Sequence, residues 1–266
     1  MSKISNYNNF ITEHLTQLGS LLQLEAEYKK LLQEDASNSK RINLESELDI
    51  VCDRICKLIH LRNYEIERGI VTVKTTVILD SRSVHGTKKL QTIPVKFEYI
   101  EGSFFCDRNT LISLEGSPKI VGQTFDCHWN NLKTLFGCPE IIGTRASSVH
   151  EWSQGDFNCG DNYLSSLEGG PKSVSGFYSF SNNPVYELTG FCEGFDGDVF
   201  FHNTPVEEVL NLFGVTGDKL GRQIDILNEW DVIRHNQIVL DRLIDCGDQF
   251  GIEIPDTITF KNYTLI

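Results

Sequence analysis

The sequence predicts an α/β repeat fold: a solenoid of short strand-and-turn units, preceded by a helical hairpin and closed by an α-rich C-terminal cap. Three observations predict it. A near-identical sentence is written repeatedly, as FFCDRNTLISLEGSPKIVG, FDCHWNNLKTLFGCPEIIG and FNCGDNYLSSLEGGPKSVSG. A helical apolar period precedes it, and capping and turn signals follow it. A unit of this length cannot bury its own apolar face, whereas three or more side by side can.

From the N-terminus, residues 8–66 read as two helices. Phe10, Leu15, Leu18, Leu21, Leu22, Tyr28, Leu31 and Leu32 form an i, i+3, i+4 stripe with charge opposite, and Leu44, Leu48, Val51, Ile55, Leu58 and Ile59 form a second. DASNS separates them, so an antiparallel hairpin over residues 1–67 is expected, with an apolar face free to cover the repeats, dimerise or meet a partner. Residues 69–100 turn to period two and β-branched residues (IVTVKTTVILD, QTIPVKFEYIEG), which marks strands opening the repeat region 68–203.

Within the repeats, asparagines align at Asn109, Asn130, Asn162, Asn183 and Asn203, with spacings of 21, 32, 21 and 20. The long spacing implies an insertion at residues 144–154, TRASSVHEWSQ. Three residues before the asparagine stand Cys106, Cys127, Cys159 and Phe180; two before those, Phe104, Phe125, Phe157 and Tyr178. Leucine or valine follows at +2, leucine at +5 and glycine at +7, with Pro118, Pro139 and Pro171 two further on. Alternation along a strand points Phe104 and Cys106 inward, Phe105 and Asp107 outward. Where the chain then turns, a buried asparagine amide can donate to and accept from stranded backbone groups. The cysteines thus fill one small apolar slot in each unit, and no disulfide or metal is expected of them.

This pattern, Phe104-x-Cys106-x-x-Asn109-x-Leu111, resembles the leucine-rich repeat. Its narrower wording is similar to the degenerate leucine-rich repeats of T-even-type bacteriophage proteins of unassigned role. Residues 93–97 (IPVKF) and 228–243 (NEWDVIRHNQIVLDRL) also match the opening and closing segments of those proteins. The resemblance covers about residues 70–245. It implies a leucine-rich-repeat solenoid of phage origin and leaves the activity open.

The segment 204–266 reads as the cap. Thr204-Pro205-Val206-Glu207 has the form of a capping box, Gly214 of a stop, and residues 219–229 and 241–250 are helical in pattern. Residues 232–240 suit a hairpin turning at His235-Asn236.

With Lys plus Arg at 24 and Asp plus Glu at 37, the net charge of −13 argues against binding to nucleic-acid backbones and favours basic partners. Over residues 102–203 the sequence holds 12 acids and five bases, scattered rather than laddered, which does not suit mimicry of nucleic acid. MSKISNYNNF lacks the apolar run of a signal peptide and no stretch is long enough to cross a bilayer, so the host cytoplasm is the expected location and no membrane partner is expected.

Chemical motifs are weak. Cys52, Cys56 and His60 share a helical face, but no fourth zinc ligand accompanies them, and a packed face is the reading taken. Cys246-x-Asp248 resembles the catalytic pair of bacterial leucine-rich-repeat ubiquitin ligases, on far too small a C-terminal domain. His150 with Glu151 and Asp156 could be assembled into an acid–base group only by chance proximity. The expectation is therefore a non-enzymatic protein without cofactor or metal. It would bind a host protein through outward strand positions (Phe105, Asp107, Asp126, His128, Asn158), the strand-end Arg108 and Trp129, and the insertion residues Arg145, His150 and Trp152. Trp129 either faces the partner or packs beneath the insertion. The alternatives are an oligomeric assembly protein joined through its N-terminal helices and, more weakly, a cysteine-dependent ligase-like enzyme.

Overall fold

The computed structural model describes residues 3–33, 38–79, 89–143, 155–195, 197–214 and 220–266, with side chains from residue 17 in the first helix and from residue 41 in the second. Two helices lead, α1 (Lys3–Gln33) and α2 (Asn38–Leu58), packed on one another. The helical reading ran too far at its end: residues 64–67 are already β1 (Tyr64–Glu67), paired antiparallel with β2 (Ile70–Val73). Arg68 and Gly69 turn between them with φ of 52° and 73°, the double left-handed turn that suits a two-residue hairpin.

The hairpin of helices rests on this hairpin of strands. Asp49 accepts the Gly69 N–H at 2.6 Å, and the Tyr64 hydroxyl donates to Asp53 at 2.8 Å. Leu48, Cys52 and Ile55 are buried there, in one apolar cluster that continues through the repeats to Tyr263.

Then follow β3 (Val77–Ile78), β4 (Lys96–Ile100), β5 (Phe104–Phe105), β6 (Ile120–Val121), β7 (Phe125–Asp126), β8 (Ile141–Ile142), β9 (Phe157–Asn158), β10 (Ser173–Val174), β11 (Tyr178–Ser179) and β12 (Val199–Phe200). They form two six-stranded sheets. The first runs β1-β2-β4-β6-β8-β10 and is mixed, since β1 is antiparallel to the rest; the second runs β12-β11-β9-β7-β5-β3, all parallel. The C-terminal part adds α3 (Glu207–Leu210), α4 (Leu220–Glu229), the hairpin β13 (Ile233–Arg234) and β14 (Gln237–Ile238), α5 (Leu240–Gln249) and β15 (Thr264–Leu265). The strands β13, β14 and β15 make a third sheet.

The leucine-rich-repeat solenoid is thus corrected to an α/β fold of six-, six- and three-stranded sheets dominated by parallel strands. A leucine-rich repeat returns through a helix or a 3₁₀ turn. Here, among the described residues, no helix lies between Phe104 and Phe200; the arms after β5, β7 and β9 return as second strands, β6, β8 and β10, and the arm after β11 returns without helix or strand. Local preference leans that way before pairing between units decides it. Ile120-Val121, Ile141-Ile142 and Ser173-Val174 favour extension, and the glycines before them (Gly116, Gly137, Gly169, φ 80–96°) turn the chain where a helix would have to continue. The helices gather at the two ends of the chain.

Inside, Phe104, Phe125, Phe157 and Tyr178 are in register and fully buried, with ring centroids 5.6, 6.0 and 4.8 Å apart in turn. Cys106, Cys127 and Cys159 line up behind them as free, buried thiols. The asparagines form the expected ladder. Asn130 Nδ2 donates to the Cys106 and Cys127 carbonyls, each at 3.0 Å, and its Oδ1 accepts the Leu111 N–H at 2.9 Å. Asn109, Asn162 and Asn183 repeat the arrangement, each tying its own unit to the one before.

At the fifth unit the alignment on Asn203 is off by one. Thr204 is buried in the ladder position, its hydroxyl donating to the Phe201 carbonyl at 2.7 Å, while Asn203 is exposed. This also overturns the capping box. Val206 is the residue before α3, no side chain caps that helix, and Glu207 instead accepts the Asn203 N–H at 2.8 Å. Gly214 does end the short turn after α3 with φ 71°, and the hairpin turns at His235 and Asn236 as expected.

Candidate functional site

The second sheet turns one face outward. Its register aligns Ile78, Phe105, Asp126, Asn158, Ser179 and Phe200 in one row. The residue just before the ladder position, Arg108, Trp129, Asp161, Asn182 and Asn203, forms a second row along the strand ends, and each has φ between 53° and 58°. This left-handed conformation lets the chain leave the strand and drop the next side chain into the interior. Asp and Asn tolerate it; for other side chains it costs about 1–2 kcal/mol. Arg108 and Trp129 are therefore the two residue types in the row that local backbone preference does not explain.

Trp129 is 49% exposed. The Arg108 guanidinium lies 4.6 Å from its ring centroid, and the His128 ring is tilted against it at 5.4 Å. The His128 Nδ1 lies 2.6 Å from the Asp126 carboxylate, which also accepts the His128 backbone N–H at 3.0 Å. That hydrogen bond to Asp126 raises the pKa of His128 above its ordinary value against a smaller opposing effect of burial. Arg108, His128, Trp129 and Asp126 thus form one connected group, with Asp107 3.9 Å from Arg108.

Other expected site residues take different places. Asp107, outward by strand alternation, is instead buried at 6% exposure, because the chain is already leaving the strand there. Phe105 is half-buried rather than open. Asn158 Oδ1 accepts the Gly160 N–H at 3.1 Å, so that amide shapes the turn, as Asp126 also does one unit earlier. Arg145, His150 and Trp152, with the rest of the insertion and Glu151, lie outside the described residues. Asp156, the remaining member of the acid–base group, accepts the Phe177 N–H at 3.1 Å. Sequence reasoning missed Phe200, 42% exposed at one end of the outer row, and Ile78, 46% exposed at the other. The parallel register made both findable once Val77 and Val199 were aligned with the phenylalanines.

The cysteines are poorly suited to chemistry. Burial pushes Cys52 and Cys56 up to about 12 and Cys246 up to about 11, and raises Cys106, Cys127 and Cys159 well above the ordinary value. A nucleophilic or metal-binding sulfur needs the opposite shift. Among the described residues no group of His, Cys, Asp and Glu could hold a metal ion, and His60 stands exposed beyond the end of α2. Among the same residues no helix is long and apolar enough to cross a membrane. No family model matches the sequence, and neither the curated proteins nor the solved structures searched contain a match.

Proposed function

We propose that this chain is a non-enzymatic protein-binding protein whose partner seats on the outer face of the second sheet, around Trp129. The observation that carries the reading is Trp129 itself. It is a large aromatic, half exposed, held by Arg108 and His128, at a backbone position where aspartate or asparagine serves the fold better. Tryptophan and arginine are the residue types that most often anchor interfaces, and a locally unfavourable residue held in place by its neighbours is a mark of function. On the phage-like wording of the repeats, the partner is a host protein met in the host cytoplasm, one of the anti-phage defences included, and the chain modulates or inhibits it. Deeply buried thiols of raised pKa support the non-enzymatic part of the reading.

The test is capture from host cells with the wild-type chain and with Trp129→Asn, followed by mass spectrometry and titration of the purified partner. A partner held by the wild type and lost by a normally folded Trp129→Asn supports the reading; equal retention by both overturns it. A second reading, assembly through the N-terminal helices, is favoured by Ile42 and Ile50 of α2, 65% and 52% exposed. Light scattering decides it: a strict monomer at high concentration removes this option.

A further inference from the structure

The two large sheets treat charge differently. On the first, Glu98, Lys119, Glu140 and Lys172 follow one another across successive strands, with Lys119 bound to Glu98 at 2.9 Å and Lys172 to Glu140 at 2.6 Å. Opposite charges at neighbouring register positions cancel, and that face stays neutral. The strands of the second sheet and their flanking residues carry Asp107, Asp126, Asp156, Asp161 and Asp198 against Arg108, the single lysine or arginine there among the described residues. Asp161 and Asp198 have no side-chain cation partner among the described residues. Asp161 follows Trp129 along the left-handed row, and Asp198 is exposed beside Phe200.

We infer that the occupant of this face is a basic segment of the partner protein. Its arginine or lysine side chains would lie between Trp129 and Phe200, over Asp161 and Asp198. This rests on the docking reading above and names the chemistry of the partner. One part of Trp129 is taken by Arg108, which leaves its exposed half for a second cation or an aliphatic stem. A partner of negative charge would meet Asp161 and Asp198, without a cation beside them among the described residues, on a chain whose net charge is −13.

The experiment titrates the full chain with three synthetic decapeptides, of arginine, lysine and glutamate, at 20 and 200 mM salt. Asp161→Asn/Asp198→Asn is compared with Glu253→Gln/Asp256→Asn, a pair exposed in the C-terminal segment that removes the same charge elsewhere. Asparagine already occupies the left-handed row at Asn182, so the first substitution preserves the turn. The basic peptides are expected to bind and to weaken about 10-fold at the higher salt. The face variant should lose about 5-fold further, on surface charge pairs of about 0.2–1 kcal/mol each, and the control pair less than about 2-fold. Binding of the glutamate peptide, equal losses in both variants, or no binding of either basic peptide at 20 mM salt overturns the inference. Its failure is separable from failure of the docking reading: a captured partner that depends on Trp129 but is indifferent to salt and to Asp161→Asn/Asp198→Asn leaves docking intact and removes only the basic segment.

Discussion

Replacing Asn130 by alanine tests the ladder that fixes the docking face. The side chain is buried, 5% exposed, and its two ends reach four backbone groups, the Leu111 N–H and the carbonyls of Cys106, Cys127 and His128. Losing Oδ1 strands the N–H of the fully buried Leu111, which costs about 1–3 kcal/mol. The His128 carbonyl keeps the Arg108 N–H at 3.0 Å, and the two cysteine carbonyls suffer less than Leu111, because Cys106 O keeps Asn109 Nδ2 at 3.2 Å and Cys127 O keeps Asn162 Nδ2 at 3.1 Å. Allowing about 0.5 kcal/mol for each and about 1 for the space vacated gives a total of roughly 3–5 kcal/mol. Against a typical stability of about 5–15 kcal/mol this is large, and for a chain of this size it lowers the melting temperature by on the order of 10 °C. Urea unfolding followed by circular dichroism measures it. Two comparisons make the result specific. Asn203→Ala, at the exposed position that sequence alignment would choose, should cost only the about 1–2 kcal/mol of placing alanine at a φ of 58°, well short of the loss at 130. Thr204→Ala, at the true ladder position, should cost about 1–2 kcal/mol. Equal effects at 130 and 203, or a loss at 130 below about 1 kcal/mol, would refute the account of what holds the units together.

Trp129→Asn relieves a left-handed strain of about 1 kcal/mol and forfeits a cation–π contact of about 0.5–1 kcal/mol, so stability should stay within about 1 kcal/mol of wild type while partner binding is lost; a drop of several kcal/mol on unfolding would mean the indole is structural. His128 has a folded pKa above its unfolded value, so its contribution to stability is full below the unfolded value and lost as pH rises through the folded one. Asp126→Asn should lower the imidazole pKa seen by NMR titration and flatten that slope, and an unmoved pKa would show that Asp126 is not the governing neighbour. Cys106, Cys127 and Cys159 should resist an alkylating reagent in the native chain and react on unfolding; rapid native labelling at any of them, read by mass spectrometry, would contradict their burial. Gly122→Ala would drive a methyl group into the Glu101 carbonyl, a backbone clash no rotamer relieves, and should cost more than about 2 kcal/mol in the same urea assay; a neutral result would place the two strands further apart than described.

What sequence alone determined is the content of each layer. The repeated aromatic, thiol, amide and leucine positions are buried because any chain that repeats them must find one interior for all of them, and a buried amide must pair with backbone. The hairpin at His235 and the stop at Gly214 were legible for the same reason: left-handed backbone conformations restrict residue choice locally. Tertiary structure decided the rest. Whether the arm after each asparagine returns as a helix or as a strand depends on pairing between Ile120, Ile141 and Ser173 of different units, a gain no single unit displays. The shift from Asn203 to Thr204 was invisible because two adjacent residues with short polar side chains compete for one buried slot, and only register with Phe201 chooses between them. The candidate site divides likewise: Trp129 and Arg108 stood out by type, but the burial of Asp107, the turn duties of Asp126 and Asn158, and the charge contrast between the two sheets arise only when strands are laid side by side.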